Sequence, residues 1–92
     1  MTEYNMPIKT WSVEDRPREK LVLKGLRSLS DAELIAILLG SGTREESAVE
    51  LARRLLKYYN DNLNELSKAT AEDLKRFKGI GEARAVTVIA AL

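Results

Sequence analysis

Leu74-Lys75-Arg76-Phe77-Lys78-Gly79-Ile80-Gly81-Glu82-Ala83-Arg84-Ala85-Val86-Thr87-Val88-Ile89 is the stretch that decides the fold. Its apolar positions, Leu74, Phe77, Ala85, Val88 and Ile89, keep helical spacing on both sides of a Gly-Ile-Gly interruption. Two short helices joined so tightly need positive φ or close backbone approach at the glycines, which a Cβ obstructs. Ile80 is placed to plug the apolar gap between the helices, and Ala85 to let them approach. This is the spacing of a helix-hairpin-helix. It leaves the N–H groups of Gly81 and of the following first turn free, at the positive end of a helix dipole. Such an array binds an anion, and in this motif the anion is usually a DNA phosphate. Lys78 and Arg84 flank the turn and add charge, so Lys78, Gly79, Ile80, Gly81 and Arg84 are the candidate phosphate contacts. The competing reading is a turn inside a helical core that touches no nucleic acid.

Working outward, the sequence reads as helix after helix from Pro17 onward. Pro17 suits a first helical turn, and that helix ends near Gly25. Ser30-Asp31-Ala32-Glu33 is a capping box ahead of an almost wholly apolar helix with Leu34, Ile35, Ile37, Leu38 and Leu39, which is expected to be buried all round and to stop at Gly40. Thr43-Arg44-Glu45-Glu46 repeats the capping pattern and is expected to open a longer helix, with Val49, Ala52, Leu55, Leu56 and Tyr59 on its inner face. Asn60-Asp61-Asn62 breaks it, and a short turn follows over Leu63 to Ser67. Thr70 then caps a helix over Ala71 to Phe77, and Glu82 starts a last helix that carries Ala85, Val88, Ile89 and Leu92 inward. No segment shows sustained period-two alternation. The expected fold is all-α, a small helical domain of five to six helices. Its expected core includes Leu34, Ile37, Leu38, Val49, Leu55, Leu74, Ile80, Ala85 and Ile89.

Gly40-Ser41-Gly42 echoes Gly79-Ile80-Gly81 at a looser level, with Ala48 roughly where Ala85 stands in the second copy. The pair reads as a pseudo-duplicated hairpin. Glu45 and Glu46 stand just behind the first copy, where a phosphate is repelled and a helix dipole is served. The first hairpin therefore reads as structural and the second as the binding one.

Composition bounds the chemistry. Ninety-two residues suffice for one small domain. The 45% apolar and 32% charged content fits a soluble globular chain. There is no Cys and no His, which removes disulfides, thiol nucleophiles, His-based triads and thiolate or imidazole zinc sites. No calcium-type acidic loop is present, no cofactor is implied, and no apolar run reaches the ~18 residues of a membrane span. The net charge is only +1, yet it is segregated. Arg16, Arg18, Lys20, Lys24 and Arg27 form one basic stretch, residues 28–52 are acidic, and Lys75, Arg76, Lys78 and Arg84 form a second basic group. A cytoplasmic, non-enzymatic chain without a membrane partner is the expectation. Trp11 is read as a packing anchor for the N-terminal segment 1–14, ahead of the helical domain 15–92 with its hairpin motif at 70–92. The final helix meets no Gly, Asn or Pro after Ala90-Ala91-Leu92, so the chain is expected to be the front part of a longer protein.

Three segments together resemble a known family. They are Asp15-Arg16-Pro17-Arg18-Glu19-Lys20-Leu21, then Leu29 through Thr43 (LSDAELIAILLGSGT), then Lys78-Gly79-Ile80-Gly81. This combination resembles the N-terminal region of bacterial RadC-type proteins, which carry the label DNA repair. The resemblance implies a following domain similar to the JAB/MPN metal-dependent deubiquitinase fold, whose zinc ligands include a His-x-His pair. This chain has no His, so that catalytic domain is absent here and no activity is carried over. Two functions are implied. The first is a non-sequence-specific DNA-binding module, weak and salt-dependent, linked to DNA repair. The alternative is a protein-interaction or regulatory domain that positions the absent catalytic domain.

Overall fold

Six α-helices and one 3-10 turn make up the described part of the protein, and the architecture is all-α as expected. The structure, a computed structural model, describes residues 16–92; Trp11, Asp15 and the N-terminal segment lie outside the described residues. The helices are α1 (Pro17–Lys24), α2 (Asp31–Leu39), α3 (Ala48–Tyr58), α4 (Leu63–Ser67), α5 (Ala71–Leu74) and α6 (Glu82–Ala91), with the 3-10 turn at Leu26–Ser28. No helix among the described residues is long and apolar enough to cross a membrane.

Short-range chemistry sets most helix ends. Ser30 Oγ accepts from Glu33 N–H while Glu33 Oε1 accepts from Ser30 N–H at 2.8 Å, closing the capping box of α2. Thr70 and Asp73 do the same for α5, and Asn62 Oδ1 accepts from Asn64 and Glu65 N–H at the start of α4. Each cap holds a helix end by about 1 kcal/mol. Pro17 takes the first position of α1, and Gly25 ends it at φ +89°. Asn60 and Asp61, both at positive φ, break the chain after α3, a conformation their short polar side chains tolerate better than most.

Helix α3 is the centre of the core. Ala48, Val49, Leu51, Ala52, Leu55 and Leu56 are all buried, at the i, i+3, i+4 spacing of one broad stripe. It packs chiefly on α2, and α2 packs in turn on α6, which is also held against α5. Leu66 from α4, Leu74 from α5, and Ala85 and Val88 from α6 complete the cluster, with Ile80 inserted between α5 and α6 as its position between the glycines required.

Four expectations are corrected. Helix α2 is not buried all round: its inner stripe is Ala32, Ile35, Ala36 and Leu39, while Leu34, Ile37 and Leu38 are only half-buried. The domain is too small to enclose a helix on every side, so one stripe sits inward. The longer helix does not open at Thr43. Thr43 Oγ1 accepts from Glu45 and Glu46 N–H in a tight turn, and α3 begins at Ala48, capped by Ser47 and Glu50. Two capping signals compete within eight residues, and the one adjoining the apolar stripe starts the helix. Helix α5 ends at Leu74 rather than Phe77, because the chain tightens through Arg76 N–H to Asp73 O and Phe77 N–H to Leu74 O. At the far end of α6, Ile89 is half-buried and Leu92 is exposed.

Candidate nucleic-acid interface

The second hairpin is built by backbone bonds before any side chain contributes. Phe77 O accepts from Ile80 N–H at 3.0 Å, which turns the chain after α5, and Ala85 N–H to Gly81 O at 3.0 Å begins α6. Gly79 makes the turn possible twice over. Its φ is +95°, and a Cβ there would lie 2.9 Å from Thr43 Cγ2 and within 3.5 Å of Leu51, so both torsion and space require glycine. Gly81 differs from the expectation that both glycines are forced. Its φ is −89° and nothing lies within 4 Å of a Cβ built on it. The fold does not demand glycine at position 81; the space in front of it is open.

That openness matters because Gly81 is the N-cap of α6 and supplies no side-chain hydrogen bond. Helices α2, α3, α4 and α5 each have a side chain satisfying their first-turn N–H groups. The Glu82 and Ala83 N–H groups of this ten-residue helix have no acceptor among the described residues. They lie at the positive end of the helix dipole.

The flanking cations have different fates. Lys78 is exposed and forms no ion pair among the described residues. Its backbone is fixed, since Lys78 O accepts from Arg54 Nη2 at 2.6 Å. Arg84 is turned inward. Its Nε donates to Leu39 O at 3.2 Å, Nη1 to Gly79 O at 2.6 Å, and Nη2 to Ser41 O at 2.8 Å, Ser41 Oγ at 2.9 Å and Gly42 O at 3.1 Å. One guanidinium thus ties the first hairpin to the second while neutralising the carbonyl end of α2.

Arg54 of α3 grips Glu46 with both arms, Nε to Oε2 at 3.0 Å and Nη2 to Oε1 at 2.8 Å. The hydrogen bonds to Glu46 hold the Arg54 pKa above its usual value, outweighing burial. The Glu46 carboxylate, expected to repel a phosphate from behind the first hairpin, is therefore paired. No local signal announces this contact, because a spacing of eight residues that crosses a turn is not a helical pair. Glu82, the first residue of α6, brings an acidic group to the second hairpin. Lys75 hydrogen-bonds Glu72, its Nζ lying 3.1 Å from Oε2, and this bond raises the Lys75 pKa first; Glu82 adds a smaller push in the same direction. Among the described residues no group of three or more Asp or Glu side chains converges in a way that could hold a metal ion.

Comparison with known proteins places these loops inside a recurrent sequence. A family model described as UPF0758 N-terminal matches residues 8–86. A UPF0758 protein of Flavobacterium johnsoniae is 60% identical over 92% of this chain and 37% of its own length. One from Syntrophomonas wolfei is 51% identical over 100% of this chain and 40% of its own. Another, from Geobacillus kaustophilus, is 51% identical over 89% and 38%. The chain thus spans about two fifths of the length of these relatives. No solved structure matches it.

Proposed function

The chain belongs to the UPF0758 N-terminal family, and from its open second hairpin we propose that it is a DNA-binding module that grips phosphates without reading sequence. The uncapped start of α6 carries this reading. Among the described residues the Glu82 and Ala83 N–H groups have no acceptor, nothing stands against Gly81, and the exposed Lys78, three residues before Gly81 in the chain, forms no ion pair. Backbone donors and a point charge suit a phosphate oxygen and are blind to the base attached to it. Lys78 supplies the charge, and Arg84 acts as a positioning residue that sets the two loops against each other. The RadC-type segments quoted above fall within the matched residues and support a cytoplasmic role linked to DNA repair. In this reading the chain binds rather than catalyses, and any chemistry of a longer protein belongs to its remaining length.

One observation favours a different reading. Val22, Leu23 and Leu26 are exposed beside one another on α1 and the turn after it, which suits a domain that docks on another protein or on a following catalytic domain.

Titration of labelled protein with duplex DNA separates the two. The amides of Gly79, Gly81 and Glu82 are expected to shift together at low salt. Lys78→Ala is expected to weaken binding on every sequence and to lower the salt slope by about one unit. Unshifted amides at low salt, or an unchanged Lys78→Ala, make the hairpin structural and leave the docking reading in place.

A further inference from the structure

A hollow beside the second hairpin is not accounted for by phosphate binding. It measures about 420 Å³ and is lined by Tyr58, Tyr59, Asp73, Arg76 and Phe77, a size within the ~300–1,000 Å³ of small-ligand clefts. We propose that this hollow receives an unpaired nucleobase from the strand whose phosphate sits at Gly81, so that the module prefers DNA with unpaired nucleotides. The inference rests on the DNA-binding reading above and names the substrate class of that site.

Three observations carry it. The first is continuity. Phe77 belongs to the backbone of the hairpin, since its carbonyl accepts the Ile80 N–H. Tyr58 lies one helical turn beyond Arg54 on the same face of α3. Arg54 holds the Lys78 carbonyl, and the Tyr58 ring meets the Phe77 ring. The hollow and the phosphate position therefore adjoin along one short path of chain.

The second is the aromatic geometry. Tyr58 stands edge-on to Phe77, with centroids 5.1 Å apart and planes at 83°, and edge-on to Tyr59 at 5.1 Å and 75°. Phe77 and Tyr59 are half-buried against the core and have a packing role. Tyr58 does not, being 70% exposed. A large ring held in a fixed orientation by two others, yet open to solvent, offers a stacking surface that no core residue covers.

The third is the polar lining. Asp73 Oδ2 accepts from Thr70 N–H at 3.0 Å, which fixes the carboxylate, and its other oxygen accepts no hydrogen bond among the described residues. A fixed carboxylate beside a stacking ring suits the exocyclic amine of a base and repels a phosphate. Arg76 is within electrostatic reach of Asp73 and Tyr59, and it balances the carboxylate at the rim. In an intact duplex the base faces are covered by their neighbours, so only an unpaired nucleotide can place its ring on Tyr58. Base-on-aromatic stacking tolerates every sequence, which agrees with a module that reads none.

The test is fluorescence anisotropy on a blunt duplex, the same duplex with a short single-stranded gap, and the single strand alone, at one salt concentration. Wild type is expected to bind gapped and single-stranded DNA more tightly than blunt duplex. Tyr58→Ala, an exposed position that leaves the core untouched, is expected to lose about tenfold on the gapped and single-stranded DNA and nothing on the blunt duplex. Tyr58→Phe is expected to keep the wild-type preference. Equal affinity of Tyr58→Ala and wild type for gapped DNA overturns the inference, as does an equal loss on all three DNAs. When Lys78→Ala weakens duplex binding in the same experiment, such a failure removes only the base pocket. Wild-type protein that binds none of the three DNAs removes the DNA reading together with the pocket. If aromatic peptides, and no DNA, perturb the Tyr58 ring, the hollow docks protein.

Discussion

The two Gly-x-Gly hairpins of this protein share a starting conformation and then diverge. Gly40 and Gly79, the first glycine of each, both lie at positive φ, +86° and +95°. At the second glycine the likeness ends. A Cβ on Gly42 would run into Glu46 O and stand 2.7 Å from Ser47 C and 2.8 Å from Ala48 N, whereas one on Gly81 would touch nothing. The first loop folds back on itself, Thr43 N–H bonding Glu46 O at 2.8 Å, and the helix that follows is capped by Ser47. The second passes straight into α6, whose first turn is uncapped. The same glycine spacing therefore yields one loop closed by its own backbone and one that presents its donors outward. What differs is the four residues, Thr43 to Glu46, inserted between Gly42 and the Ser47 cap, which consume the first loop's polar groups internally.

The sharpest way to break the comparison is the same substitution at the two second glycines. Gly42→Ala is expected to cost about 3 kcal/mol or more, because backbone rather than a flexible side chain must move. Gly81→Ala is expected to cost less than about 1 kcal/mol, the difference between Gly and Ala at an N-cap. Urea denaturation of both variants checks this. Equal losses would mean that the second hairpin is as closed as the first.

A smaller loss is expected when the link between the loops is cut. Arg84→Lys keeps the charge but cannot reach Leu39 O, Gly79 O and Ser41 O together, and a loss of about 1–2 kcal/mol is expected. Its DNA affinity should fall by less than that of Lys78→Ala, since Arg84 positions the hairpin and Lys78 faces outward. An Arg84→Lys variant that keeps full stability yet loses DNA would place the guanidinium on the phosphate instead.

Smaller still is the effect of supplying the missing cap. Gly81→Asp provides a side-chain acceptor for the free N–H groups at a backbone conformation suited to an N-cap. A gain of about 0.3–1 kcal/mol in stability is expected, together with loss of DNA binding, because the carboxylate would occupy the proposed phosphate position. A gain in stability with unchanged DNA binding would remove the phosphate from that spot.

The gentlest perturbation is acid, and it acts on the helix leading into each hairpin. At Glu33, ahead of the first, burial alone would raise the carboxyl, but acceptance from Ser30 N–H and the bond with Lys20 at 3.0 Å outweigh it and the pKa is lowered. At Asp73, ahead of the second, acceptance from Thr70 N–H lowers it. A carboxyl lowered by folding contributes stability that is present above its ordinary value, about 4, and is lost as pH falls through the lowered one. Thermal melts from pH 6 down to pH 2 should show the midpoint dropping below about pH 4. Glu33→Gln should flatten part of that slope.

The residues legible in the sequence are those whose partners are near in the chain. Ser30 with Glu33, Thr70 with Asp73, the break at Asn60–Asp61 and the plug at Ile80 follow from spacings of a few residues, where type and geometry alone decide the outcome. Helical period also gave most of the inner face of α3, Val49, Ala52, Leu55 and Leu56, since a strongly two-sided helix has one apolar face to bury; Ala48 and Leu51 join that face, and Tyr59 is half-buried just past the helix end. The period failed on α2. With apolar residues on every side it marks no face, and packing on α3 and α6 chose Ala32, Ile35, Ala36 and Leu39 over Leu34, Ile37 and Leu38.

The site divides along the same line. Sequence alone determined that a glycine hairpin would start the last helix without a Ser, Thr, Asp or Asn cap, with a lysine beside it, because those are properties of adjacent residues. Tertiary structure decided which glycine is sterically forced, which cation remains free and where an exposed aromatic ring stands. Arg84 finds its acceptors up to 45 residues away and Arg54 reaches 24 residues to the hairpin. Long, many-donor side chains such as these take whichever carbonyls the folded chain brings within reach, and only the packed helices fix which those are.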